Sequence, residues 1–381
     1  MKTFKTIRMG FLAAAAALVC FSSCSTDDDQ KGGGNPAPQR ESLVVLTINT
    51  GKMMSRAATT TPLTDSEKHI EDLTVGIFDK AGNKRVVRSF KAAELVSVPG
   101  TSKAEVKIFA TDLTIEDEVV VVANTNEKKA ALEQAATKDA FNQVTLESST
   151  AVKQKLNANK DNNLLPKYGE TKLTQGNLPT TFKADVKVKN LVSRVTLNDL
   201  KVELAQAGAG FELTDIYLTH LPKDFAFSPT GWVDGLTNAK TDFIHGILSK
   251  EDDAAESNVD LHKAVTTAGE QSFLYTTPNK TQTGNNTRLV LKGKFTPGTG
   301  ANAEVVYYAL PLNVAIVDGA YDSADGEAMV FATSPGKNYK CNVTIKKKGS
   351  TDPWDATQPQ VAEINVEAQN WVDVLQDTTF Q

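Results

Sequence analysis

The residues of this chain that could carry out catalysis are few and scattered. Its four histidines lie far apart, and no two have the spacing of metal ligands. No Gly-x-Ser-x-Gly elbow and no phosphate-binding loop is present. Acidic groups such as Glu116–Glu118 and Asp252–Asp253 are typical of solvated faces, although their number alone does not exclude a glycosidase-like pair. The sequence therefore predicts a protein that is not an enzyme, with no catalytic residue, metal site or cofactor.

The residue best placed for chemistry is Cys24, whose thiol could accept a lipid. A basic start, Lys2–Arg8, precedes the apolar run Gly10–Phe21, which is too short to span a bilayer. The small residues Ser22 and Ser23 then stand directly before the cysteine. This order indicates a lipoprotein signal peptide over residues 1–23. The alternative is a plain secretory signal with a chance cysteine, and both interpretations predict export.

Composition limits the remaining function classes. Hydrophobic residues make up 40% and charged residues 23% of 381 residues, which is ordinary for a globular protein. The net charge is -5 with no basic block, so nucleic acid is not an expected partner. Cys341 is the one cysteine in the part expected to fold, so the exported chain has no internal disulfide and depends on packing.

A second site for chemistry is the peptide bond between Arg56 and Ala57. The preceding segment Leu43–Asn49 is rich in β-forming residues, and Val44, Leu46 and Ile48 share one face. The chain from residue 51 to residue 62 is then polar and lacks a core-forming pattern. An arginine in such a stretch is open to a trypsin-like protease.

The elements that must position these residues are mostly short strands separated by Gly, Pro and Asn turns. The continuous apolar run Val119–Val122 predicts a central strand covered on both faces. Residues 127–136 favour a short helix, and residues 159–178 resemble a long loop. The pattern predicts a mainly β fold of β-sandwiches with a few short helices. A domain boundary is expected near residue 194.

The C-terminal tail carries the longest alternating pattern in the chain. It follows the polar break at residues 346–353, and a strand after such a linker can pair outside its own domain. Its apolar positions share one parity and are Ala362, Ile364, Val366, Ala368, Val372 and Val374.

Four features in this order resemble the Bacteroidales fimbrilin family, the FimA/Mfa-type major subunits of type V pili. They are the lipidation signal at Cys24 with its polar tether, the β-segment ending at Arg56, the apolar strand Val119–Thr125 with its Ala-Asn-Thr end, and the two C-terminal segments Gly336–Lys340 and Ala368–Val372. The likeness spans nearly the whole chain by order of features.

The resemblance implies two transthyretin-like β-sandwich domains, residues 57–193 and 194–381, after a tether and removable strand at residues 24–56. It implies a stalk subunit of a fimbrium, carried to the outer membrane and cell surface as a lipoprotein. An arginine-specific protease would cut after Arg56 and remove the strand of Val44, Leu46 and Ile48. The C-terminal donor strand of another copy, about residues 361–381, would fill the groove. Further expected partners are minor pilins and host or bacterial surface ligands.

Four alternatives remain open. An anchor subunit of the same pilus would keep its lipid, and a tip subunit would lack a donor strand. A surface-tethered glycan-binding lipoprotein is the alternative from another class, and a hydrolase has less in its favour. The tryptophans are interpreted as packing residues rather than a sugar platform; they are Trp232, Trp354 and Trp371.

Overall fold

Two pairs of β-sheets account for most of the described residues. The chain before about residue 191 forms the first pair, and the chain after it forms the second. The computed structural model describes residues 41–49, 67, 70–98, 103–148, 164–222, 224–228, 244–245, 272–279, 287–312, 316–317, 320–321 and 335–370. No helix in these ranges is long and apolar enough to cross a membrane.

The first half of the chain supplies eleven strands, two short helices and two 3-10 turns within the described residues. The strands are β1 (Glu41–Asn49), β2 (Asp72–Phe78), β3 (Lys84–Lys91), β4 (Val96–Ser97), β5 (Lys103–Thr111), β6 (Glu118–Ala123), β7 (Thr145–Glu147), β8 (Lys167–Lys172), β9 (Thr174–Gln175), β10 (Thr181–Lys187) and β11 (Lys189–Asn190). The helices are α1 (Lys129–Gln134) and α2 (Lys138–Asn142), and the 3-10 turns are Ala92–Glu94 and Asn126–Lys128.

Ten of these strands form the first sandwich. Sheet I has the order β4-β5-β1-β10-β9, and sheet II has the order β11-β8-β6-β2-β3. Alternate apolar side chains from both sheets meet in one buried core, which includes Leu46 of β1, Ile108 of β5, Val75 of β2 and Val121 of β6. Because the apolar positions repeat every second residue, β1, β5 and β10 each turn one face into this core.

The second half supplies the other sandwich. Its strands are β12 (Ser193–Val202), β13 (Gly210–Thr219), β14 (Asp224–Ala226), β15 (Ile244–His245), β16 (Ser272–Thr276), β17 (Arg288–Thr296), β18 (Glu304–Pro311), β19 (Ile316–Val317), β20 (Ala320–Tyr321), β21 (Lys337–Ile345) and β22 (Ala362–Asn370). Sheet III has the order β16-β12-β21-β22 and sheet IV the order β15-β13-β17-β18. β14 pairs with β7, and β19 pairs with β20.

The central strand predicted from the valine run is confirmed. Val119 and Val121 lie in the first core, whereas Val120 and Val122 face the other way into the second core. All four are fully buried because β6 lies in the middle of sheet II and its outer face is covered. Part of that cover is α2, whose Phe141 packs edge to face on Phe78 at 5.5 Å between ring centroids.

The mainly β class and the short helix after β6 are confirmed, but the long loop expected at residues 159–178 is wrong. The structure places β8 there, paired with β6, and β9 after it. The sequence Lys-Tyr-Gly-Glu-Thr-Lys hides this strand because Gly169 and its polar neighbours resemble a turn. A Cβ on Gly169 would lie 2.4 Å from the carbonyl oxygen of Lys187, so this glycine permits a close backbone approach.

Candidate strand-exchange site

Strand β1 lies in the middle of sheet I and bonds to a neighbour on each side. It runs antiparallel to β5 over nine positions and parallel to β10 over seven. Removing β1 would leave a groove between β5 and β10 with unpaired backbone groups on both walls. Such a groove is a template for another strand.

The inner face of β1 fills the floor of this groove. Val44, Leu46 and Ile48 are all 0% exposed and belong to the first core. Burying three such side chains is worth roughly 5–9 kcal/mol, at about 1.5–3 kcal/mol each. A groove without β1 would therefore expose a large apolar surface, which favours an equivalent replacement strand.

The outer face of β1 is bordered by residues that fall into four rows, each named by the β1 residue that it flanks. Row 43 has Phe109 and Thr181, row 45 has Lys107 and Lys183, row 47 has Glu105 and Asp185, and row 49 has Lys103 and Lys187. Side chains from the two walls reach towards each other over β1, since Lys103 Nζ lies 3.4 Å from Asp185 Oδ2.

The tail strand lies in the chain's own second sandwich. β22 pairs antiparallel with β21 over nine positions at the edge of sheet III. Ala362 is 0% and Ile364 is 5% exposed, and both belong to the second core. Val366 is the register partner of Cys341 and Ala368 that of Tyr339. The other expected donor positions, Val372 and Val374, lie outside the described residues.

The residues expected to be processed also lie outside the described part of the chain. These are Cys24, Arg56 and Ala57. The first described residue after them is Glu67, eleven positions beyond Arg56, and its side chain is fully buried.

Glu67 is held by groups from both sandwiches. Its carboxylate accepts hydrogen bonds from Tyr275 Oη at 2.6 Å and from Arg194 Nε at 3.1 Å, and a second Arg194 nitrogen donates to Oε2. Lys167 Nζ donates to the Glu67 carbonyl oxygen and to Asn190 Oδ1, each at 2.5 Å. Lys167 and Asn190 belong to sheet II, whereas Arg194 and Tyr275 belong to sheet III.

Sequence reasoning missed this network. A glutamate in a polar stretch resembles a solvated residue, and its partners are 100 to 208 positions away. The one available signal was Arg194, a cation inside the apolar strand Leu191–Leu197. A charged residue in such a strand needs a buried partner.

The described tryptophan, Trp354, is half-buried and packs against His220. Its ring centroid lies 4.3 Å from that of His220, and its carbonyl oxygen accepts a hydrogen bond from Arg288. Burial and the nearby Arg288 charge lower the pKa of His220 to about 4, so this imidazole is neutral near pH 7. Within the described residues, no group of three or more His, Cys, Asp and Glu side chains could hold a metal ion.

The fold and the site define a class of β-proteins with two sandwiches in one chain, in which a central strand of the first sandwich comes from the N-terminal segment. Three solved structures share this fold. A candidate cell adhesion protein from Parabacteroides distasonis has a TM-score of 0.59 at 13% identity, covering 88% of this chain and 98% of that one. A second one, from Bacteroides eggerthii, has a TM-score of 0.55 at 18% identity, covering 89% of this chain and 98% of that one. A fimbrilin (FimA) from Porphyromonas gingivalis has a TM-score of 0.53 at 16% identity, covering 88% of this chain and 99% of that one.

A family model also matches part of the sequence. Residues 42–198 match the family model of the major fimbrial subunit protein FimA. Comparison with curated proteins gives no match. The resemblance inferred from the ordered motifs is thereby confirmed. The family that this model describes is one of structural fimbrial subunits.

Proposed function

We propose that this chain is a stalk subunit that polymerises by strand exchange after proteolysis. The observation that carries the proposal is the position of β1, a central strand with a fully buried inner face that precedes Arg56 in sequence. The precursor would be lipidated at Cys24 and held at the outer membrane. An arginine-specific protease would then cut between Arg56 and Ala57, which separates β1 from the rest of the chain.

The groove left by β1 would be filled by the C-terminal segment of another copy. Residues 361–381 have the required alternation, and the inward positions would be Ala362, Ile364, Val366, Ala368, Val372 and Val374. Each copy then offers one groove and one donor strand. A head-to-tail contact of this kind does not close on itself and produces a filament.

The Glu67 network supports this sequence of events. After a cut at Arg56, the new N-terminal end would remain attached to both sandwiches through the buried carboxylate. The ten residues between Arg56 and Glu67 would separate the removed strand from this attachment. Loss of β1 therefore need not disturb the contacts that Glu67 makes.

The proposal includes the two-domain division at residues 193 and 194 and a role in adhesion. Other copies, minor pilins and the protease would be partners, with host or bacterial surfaces as ligands. An anchor subunit of the same pilus is the second candidate, because an occupied groove is also what an uncut anchor would have. A tip subunit and a glycan-binding lipoprotein rank below it.

The test is to cut the purified, unlipidated precursor with an arginine-specific protease. We expect a new N-terminus at Ala57 and filaments visible by electron microscopy. The variant Arg56→Ala should stay uncut and monomeric. A cleaved chain that remains monomeric at high concentration would contradict the stalk role.

The donor role is better tested by substitution than by deletion. Removing residues 361–381 would also remove β22 from sheet III and expose β21, so loss of filaments would be ambiguous. Single substitutions in β22 that leave its inward residues intact avoid this problem.

A further inference from the structure

We propose that the charged rows beside β1 set the register and direction of the incoming strand, which is Val361–Glu367 of a second copy. This inference rests on the proposed strand exchange. In the proposed register, Glu363 lies between Lys107 and Lys183, and Glu367 lies between Lys103 and Lys187.

Register needs a determinant beyond the apolar pattern. Side chains alternate with a period of two, so a slip of two residues keeps every apolar side chain on the inner face. The tail alternates over more positions than β1 occupies, and several such slips would satisfy the groove floor. Something on the outer face must therefore discriminate among them.

The outer rows carry like charges on their two walls. Row 45 has a lysine on each wall, row 47 has an acid on each wall, and row 49 has a lysine on each wall. These side chains alternate with buried ones along β5 and β10, so they share the outer face. The two walls are about two strand spacings apart, roughly 9.5 Å. β1 places only uncharged residues among these rows: Val45, Thr47 and Asn49.

The segment 361–367 complements each row. Its two glutamates are four positions apart, which is the separation of the two lysine rows, and the neutral Asn365 falls between the two acids of row 47. Val361 falls in row 43, beside Phe109, whose side chain is 55% exposed. Slipping the strand by two residues in either direction would put a glutamate between Glu105 and Asp185.

Row 43 also selects the direction. With the strand running as β1 does, row 43 receives the apolar Val361. In the opposite direction the glutamates would still reach the lysine rows, but Gln369 would lie beside Phe109. The forward direction is thus the one that satisfies all four rows.

The inner face distinguishes this segment from the next one along the tail. In the forward register Ala362, Ile364 and Val366 replace Val44, Leu46 and Ile48. Residues 371–377 also carry acids four positions apart, at Asp373 and Asp377. They would, however, put Gln376 in the position of Ile48, which is 0% exposed. A buried amide without hydrogen-bond partners is unfavourable there.

The backbone pairing that β22 loses on leaving sheet III would be replaced in the groove. In sheet III it has one neighbour, β21, over nine positions. In the groove it would have two, since residues 361–367 would take the positions of Leu43–Asn49, each of which pairs with both β5 and β10. The exchange therefore replaces an edge position with a central one.

The first experiment reverses the charge of row 45 in the chain that also carries Arg56. After protease treatment, the variant Lys107→Glu/Lys183→Glu should elongate filaments roughly tenfold more slowly, because two like charges oppose Glu363. Adding Glu363→Lys should restore the rate. The matched control is Lys201→Glu/Lys294→Glu, which makes the same change of net charge at exposed sites.

The second experiment reads the register by disulfide cross-linking between subunits. A chain with Glu363→Cys and Lys107→Cys should form cross-linked multimers after cleavage but not before it. Pairing Glu363→Cys with Lys103→Cys reports the opposite direction, and Asp373→Cys with Lys107→Cys reports the later segment. Cross-linking in either of these two chains instead of the first would overturn the assignment.

The outcomes separate this inference from the proposed function. A cleaved wild-type chain that forms no filament contradicts strand exchange itself. Filaments that grow equally fast in the row 45 variant and in the control overturn the charge-set register, while strand exchange still stands.

Discussion

Replacing Glu67 by Gln removes a buried negative charge while leaving the side-chain shape almost unchanged. Glu67 is 0% exposed, and the Arg194 side chain beside it is 3% exposed. Lys167 donates to the backbone carbonyl of Glu67, so that contact does not depend on the carboxylate. The substitution therefore leaves the Arg194 charge without its carboxylate partner. Breaking a buried pair in this way destabilises a protein by about 3–5 kcal/mol.

Equilibrium unfolding in urea measures this loss. With a slope of about 3 kcal/mol per molar urea, the midpoint of Glu67→Gln should fall by roughly 1–1.7 M at an unchanged slope. The control is Lys346→Ala, which breaks the Lys346–Glu363 pair at 2.5 Å, where the side chains are 38% and 49% exposed. Solvent screens such a pair, so its loss should lower the free energy of unfolding by less than about 1 kcal/mol.

A double variant tests the cause. If the loss comes from removing the carboxylate that faces the Arg194 guanidinium, adding Arg194→Met to Glu67→Gln should recover part of the lost free energy of unfolding. A midpoint for Glu67→Gln no lower than that of Lys346→Ala would refute the reasoning. So would a double variant whose loss is the full sum of the two single losses.

Three further predictions concern the second sandwich. Ile364→Ala should destabilise the monomer by about 2–4 kcal/mol in urea unfolding, because Ile364 is 5% exposed in the core; an unchanged midpoint would mean that β22 does not pack there. Burial lowers the pKa of His220 to about 4, whereas an unfolded histidine titrates near 6.5. Between these two pH values the unfolded chain binds one proton more than the folded chain. The free energy of unfolding should therefore fall by roughly 1–3 kcal/mol from pH 7 to pH 4. His220→Asn tolerates the positive φ of 59° and should show a smaller fall over the same range. Burial raises the pKa of the Cys341 thiol, so in the cleaved chain it should react with a thiol reagent only after unfolding, and reaction at the rate of a free thiol would contradict its burial.

Local alternation made the strands of the first sandwich readable from the sequence. Val44, Leu46 and Ile48 predict one buried face, and the valines of β6 predict a strand covered on both faces. Each of these patterns depends on neighbours within a few positions. The strand β8 was not readable, because its stability comes from backbone pairing with β6 and from the close approach at Gly169 rather than from apolar side chains.

The buried network and the outer rows depend on long-range pairing. Glu67 contacts Arg194 and Tyr275 only in the folded chain, because these residues are far apart in sequence. No local sequence pattern connects them. The lysines of row 45 lie on strands that are 76 positions apart in sequence and become a pair only because β1 separates β5 from β10. A sequence shows such charges as unrelated surface residues.

The apolar alternation of the tail is compatible with two locations, its own sheet III and the groove of another copy, since each offers one buried face. The structure of the uncut chain places β22 in sheet III, while β1 occupies the groove.

Because β1 and β22 would compete for the same backbone partners on β5 and β10, exchange requires that one of them first become free of its chain. A cut at Arg56 has this effect: afterwards β1 is held by its pairing and burial alone, without covalent attachment to the sandwich. The incoming β22 remains linked to a folded subunit and adds charge complementarity in rows 45 and 49 that β1 lacks. Cleavage would thus change the competition from one that favours the attached strand to one that favours the next subunit.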